Sequence, residues 1–166
     1  MALKLIYYGQ NDGSTMPDAL LTGDPGTDQQ TLTSLGFLGG VIVALKVPTV
    51  ATGLVAIVPC DADSMVPYAT LLNGPGEFAG AIGPSGSKKA PVVRAFWQGC
   101  VNSEAFDVAN EASFVVGQYV YCGGTTHGNI GKYTTSAFKG TGSLPVGICT
   151  HAYTAAEPWV GVASLL

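Results

Sequence analysis

Residues 117–150 read GQYVYCGGTTHGNIGKYTTSAFKGTGSLPVGICT, and their rhythm sets the fold class. Runs rich in β-branched and aromatic residues, at 113–121, 130–134 and 144–150, alternate with the glycine-bearing turns Gly-Gly and Gly-Thr-Gly-Ser. The first kind of residue fits a pleated, half-buried surface, and the second bends the chain between strands. Tyr119 and Tyr121 stand two apart, so a strand puts both on one face.

The same rhythm continues outward in both directions. Further strands are predicted at 3–8, 40–47, 53–59, 67–72, 78–82, 92–97 and 159–164. The chain holds 23 Gly and 10 Pro, both costly inside a helix, and only 107–112 is compatible with a short one. The fold class is therefore all-β, a sandwich or barrel of short antiparallel strands with an extended N-terminal arm. Residues 1–34 form an N-terminal strand and polar arm, and residues 35–166 the β domain. Residues 9–34 are polar and turn-rich without periodicity, which fits either a loose arm or one that orders against a neighbouring subunit.

At 166 residues the chain can bury a full core without staples. Charged residues make up 11% of it, against about 25% in ordinary soluble domains, which fits a membrane, a surface that other chains cover or a short-lived free state. A net charge of −4 and a single small basic cluster, Lys88, Lys89 and Arg94, argue against a nucleic-acid partner. Residues 36–58 are apolar enough to raise a membrane span, but Lys46, Pro48, Thr49 and Thr52 interrupt them. Two buried strands explain that stretch better, and no membrane partner is expected. The N-terminal apolar run is too short for a signal peptide. Cys60, Cys100, Cys122 and Cys149 are spread out and read as buried thiols.

Chemistry is sparse. No Gly-x-Ser-x-Gly elbow exists, and His127 and His151 are the only histidines. Cys149 with His151, or Cys122 with His127, gives a conceivable nucleophile pair, but nothing supplies an orienting third group. The same four residues lack the close cysteine pairs of structural zinc sites. Residues 80–89 fail the phosphate-loop pattern, and Asp61 and Asp63 read as a polar turn. The chain is accordingly expected not to be an enzyme, with no catalytic, metal or cofactor-binding residue. The aromatics carry more information. Trp97, Trp159, Tyr119 and Tyr121 lie in predicted strands, and Leu5 and Tyr7 in the first one. These six are the candidate interface anchors, since Trp and Tyr are enriched at contacts between chains.

The C-terminal third, from Gly117 onward, resembles small head decoration (cement) proteins of tailed bacteriophages. The resemblance lies in the ordered strands Gly117-Gln118-Tyr119-Val120-Tyr121, Gly128-Asn129-Ile130 running to Tyr133-Thr134-Thr135, and Leu144-Pro145-Val146-Gly147-Ile148. An alanine-rich link then leads to Glu157-Pro158-Trp159-Val160-Gly161-Val162. Gln118 departs from the family's usual acidic residue, and the N-terminal portion has no counterpart in it. The resemblance implies a structural virion protein, made in the host cytoplasm and placed on the outer capsid surface. Its implied partners are the major capsid protein and copies of itself, a homotrimer being favoured. The alternatives are a tail-tube or fibre subunit of a phage, and further off a small hydrolase using Cys and His.

Overall fold

The run Val41-Ile42-Val43-Ala44 is continuously apolar, as a strand covered on both faces requires, and all four side chains are buried. It opens the central strand of a closed barrel in the computed structural model. The structure describes residues 4–8, 18–21, 38–47, 56–71, 89–93, 97–101 and 105–166.

Eleven strands are present among these residues: β1 (Lys4–Tyr8), β2 (Asp18–Leu21), β3 (Ile42–Lys46), β4 (Ala56–Pro59), β5 (Pro67–Leu71), β6 (Lys89–Val93), β7 (Trp97–Val101), β8 (Tyr119–Cys122), β9 (Tyr133–Thr134), β10 (Pro145–His151) and β11 (Val160–Ser164). They form two units. Five close a barrel in the order β2-β4-β3-β5-β6, and the other six form a sheet in the order β1-β7-β11-β10-β8-β9. Every named-strand pairing is antiparallel except β2 with β4, which runs parallel. The protein is all-β, and among the described residues no helix is long and apolar enough to cross a membrane.

Three elements depart from the sequence reading. The strand expected at 92–97 is divided, its start in β6 of the barrel and Trp97 opening β7 of the sheet. The strand expected from 113 begins only at Tyr119, because Val108–Ser113 wind as 3-10 turns. Asp107 anchors that winding: its carboxylate accepts from Asn110 Nδ2 at 2.8 Å and from Thr134 Oγ1 at 3.0 Å. Within the N-terminal 34 residues, β1 pairs with β7 of its own chain, and β2 completes the barrel between β4 and β6. The strand expected at 78–82 lies outside the described residues.

One core runs through both units. Ile42, Val43, Ile57 and Leu71 enter it from the barrel, and Val101, Val120, Val146, Val160 and Val162 from the sheet. Phe106 and Tyr133 are its largest fully buried side chains. Backbone bonds knit the junction: Ile42 N–H donates to Gly131 O at 2.7 Å, Gly131 N–H to Cys60 O at 2.8 Å, and Ala62 N–H to Gly123 O at 3.2 Å. Gly131 sits at φ 71°, a left-handed conformation that favours glycine. A Cβ on Gly140 would fall 2.5 Å from the carbonyl carbon of Ala62, so the two backbones are packed against each other directly.

Candidate functional site

Gly117 turns the chain at φ 86° and its N–H donates to Cys149 O at 2.8 Å, which sets β8 beside β10. Alternation then decides what each β8 side chain does. Val120 and Cys122 are buried, Tyr121 is half-buried, and Tyr119 is 56% exposed. Both tyrosines thus share the face away from the core.

Strand register extends that face across the sheet. Tyr119 pairs with Ile148, Ile148 with Ala163, Ala163 with Gln98, and Gln98 with Tyr7. One rung therefore crosses five strands. Gln98, Ile148 and Ala163 are each part-exposed, as are Cys100 and Pro145 on neighbouring rungs. The sequences of β7, β8, β9, β10 and β11 contain no Asp, Glu, Lys or Arg. Lys139 Nζ lies 4.9 Å above the Tyr121 ring and donates to Ser143 O at 3.4 Å, and in the sixth strand Lys4 of β1 pairs with Cys100. Across β7–β11 the result is a partly aromatic surface without an acidic, lysine or arginine side chain of its own strands.

Of the six candidate anchors, Tyr119 and Tyr121 are on the outer face. Across the β1–β7 pairing Leu5 lies opposite Gly99 and Tyr7 opposite Gln98, and Trp97 opens β7 opposite Tyr8. Trp159 is half-buried just before β11. Its ring stacks on His151 at 3.7 Å and 19°, and His151 Nε2 lies 2.7 Å from Glu157 Oε2.

A second apolar surface was not singled out by the sequence. Val47 is 85% exposed, Val66 81% and Leu144 76%, with recesses on both sides of the Val66-Pro67 step. Period-2 reasoning misses it, because these residues sit at strand ends and not within strands. Their β-branched or branched character at the ends of β3, β5 and β10 was the available signal.

Both nucleophile candidates make their thiol hydrogen bonds to backbone oxygens. Cys149 Sγ donates to the backbone oxygen of His151 at 3.4 Å, and burial pushes its thiol pKa up. Cys122 is buried, whereas His127 is exposed and packs edge-on against Phe138 at 5.8 Å. Among the described residues no three of His, Cys, Asp or Glu gather as metal ligands.

The polar turn at Asp61 and Asp63 does more than cap β4. Asp61 accepts from Thr125 Oγ1 at 2.7 Å, Thr125 N–H at 3.0 Å and Asp63 N–H at 3.2 Å. Asp63 accepts from Thr126 N–H and Oγ1, both at 2.8 Å, and from Thr141 N–H and Oγ1 at 2.8 and 3.0 Å. These donors lie in loops of the sheet unit, so the turn clasps barrel to sheet. Both carboxyls are held below the usual carboxylate range, Asp61 chiefly by the Thr125 hydroxyl and Asp63 chiefly by the Thr126 N–H. Gly124 leaves room for the approach, since a Cβ there would meet Asp63 Oδ2 at 2.5 Å.

Compared with known proteins, the chain matches no family model, no curated protein and no solved structure.

Proposed function

We propose that this chain is a structural virion protein that decorates the outside of a tailed-phage head and stabilises it. The outer face of the six-stranded sheet is the contact surface in this reading. The observation that carries it is five strands in one sheet without an Asp, Glu, Lys or Arg, on which Tyr119 is 56% exposed. Such a surface costs little to desolvate and leaves no charge unpaired when covered by another chain. The resemblance of the region after Gly117 to head decoration proteins supplies the identity of that other chain, the major capsid protein.

The Val66 surface centres on the ends of β5 and β10, where Val66 and Leu144 line one recess, and suits contacts between sister subunits. A closed ring such as a trimer needs two unlike patches on each copy, and a twofold dimer needs only one. The role requires no cofactor and no turnover.

The test mixes purified chain with emptied phage heads and, separately, with tails, followed by sedimentation and light scattering of the free chain. Saturable binding to heads by a trimeric chain is expected. Binding to tails alone would transfer the role to a tail-tube or fibre subunit. A solitary chain that binds neither would end the reading.

A further inference from the structure

We propose that Cys60 and Cys122 join in an intramolecular disulfide on exposure to a small-molecule disulfide, and that this bond staples the barrel to the sheet. Cys60 directly follows β4 of the barrel, and Cys122 ends β8 of the sheet. Both are fully buried, 62 residues apart in the chain. Cys122 Sγ donates to the Cys60 carbonyl oxygen at 3.6 Å and to Gly123 O at 3.4 Å. The Cys122 thiol thus lies directly against Cys60. The Gly131 N–H bond to Cys60 O at 2.8 Å fixes the backbone on the Cys60 side. The proposed bond asks that the two thiols turn toward each other from these neighbouring backbones, which the Ala62 N–H bond to Gly123 O at 3.2 Å also holds together. The other two thiols are placed differently. Cys149 turns toward the His151 carbonyl, and Cys100 holds an outer-face register position opposite Gly161.

The step balances as thiol–disulfide exchange. One protein thiol loses its proton and attacks the small disulfide, releasing one small thiol and leaving a mixed disulfide. The second protein thiolate then displaces the other small thiol, and the Cys60–Cys122 bond forms. Two electrons pass from the protein to the small disulfide. Contact with Cys60 and burial together push the Cys122 thiol well above its ordinary value, so thiolate is scarce while the junction is closed. Exchange should therefore run through partial opening of the junction.

The experiment incubates reduced, purified chain with oxidised glutathione, in buffer and in mild urea. Thiols are alkylated after denaturation and counted by mass, and the peptides are mapped. Two of the four thiols should disappear, with Cys60 and Cys122 in one cross-linked peptide and faster loss in urea. The oxidised chain should melt roughly 10 °C higher, because the closed loop is long. Cys100→Ser should still lose two thiols, and Cys60→Ser should form no internal bond. Four thiols persisting in mild urea would overturn the proposal. So would a mapped bond through Cys100 or Cys149, or glutathione remaining on the protein as a mixed disulfide. The wild-type peptide map decides the matter even if Cys60→Ser fails to fold.

Discussion

The outer face of the sheet and the Asp61–Asp63 clasp are opposites. On the face, Tyr119, Tyr121 and Ile148 present apolar surface, with no Asp, Glu, Lys or Arg in any of the five strands β7–β11. In the clasp, Asp61 accepts three hydrogen bonds and Asp63 four, so no carboxylate oxygen is left without a donor. This chain has few charges, and it places two of them where they bind its own units together. The five strands β7–β11 carry no acidic residue, lysine or arginine. These two carboxylates serve the fold, and the face of β7–β11 without such residues is the contact surface in the proposed reading.

The junction should be the place where substitution costs most. At Gly140 a Cβ would stand 2.5 Å from the Ala62 carbonyl carbon and 2.6 Å from its Cβ. Backbone cannot yield as a flexible side chain can. Gly140→Ala should cost about 3 kcal/mol, read as an early midpoint in urea. A midpoint equal to that of the natural chain would show that the two units are not pressed together there.

Tyr133→Phe comes next. Tyr133 is fully buried, and its hydroxyl lies 2.7 Å from Thr70 Oγ1, itself fully buried. Burial holds the phenol pKa above its ordinary value, so the hydroxyl stays protonated across the working range. Its removal leaves the threonine hydroxyl without that partner at a cost of about 1–2 kcal/mol. Thermal melts of Tyr133→Phe and of the double change with Thr70→Val separate the unpaired group from the lost bond. The double variant should recover part of the loss.

The clasp makes stability depend on pH. Asp63 titrates lower in the folded chain than in the unfolded one, so its contribution is complete above the unfolded value, near 4. It is lost as pH falls from there toward the folded value. Asp61 shifts in the same direction and adds to the slope. The natural chain should therefore lose melting temperature steadily below about pH 4. Asp63→Asn should start lower at pH 7 and fall less steeply. Parallel curves for the two would mean that the threonine bonds do not form in solution.

How far the sequence reveals this arrangement depends on the distance between partners. The alternation Tyr119-Val120-Tyr121-Cys122 is local, and period-2 reasoning places both tyrosines on one face correctly. The all-β class follows from the same local signals. The division of residues 92–97 between two units is invisible, because Val92 and Val93 have the same strand character as residues that enter the other sheet. The parallel pairing of β2 with β4 is invisible for the same reason, since four residues in a polar context carry no mark of their partner. The clasp is less legible still. Asp-Ala-Asp-Ser looks like any polar turn, and its donors lie 63, 64 and 78 residues away.

The smallest expected effect on stability gives the sharpest contrast. Tyr119 is 56% exposed and makes no contact on which the core depends, so Tyr119→Asp should change unfolding free energy by only about 0.5 kcal/mol. Its effect on association should be of another order. A carboxylate placed at the end of the Tyr119–Ile148–Ala163–Gln98 rung would have to be desolvated, unpaired, by whatever covers the face. Affinity for emptied heads should fall at least about 100-fold, which corresponds to roughly 2.7 kcal/mol. Tyr119→Phe removes only a hydroxyl and should bind nearly as well as the natural chain. If Tyr119→Asp bound heads with unchanged affinity while folding normally, the neutral face would not be the contact. The Val66 surface would then be the one to test by the same substitution.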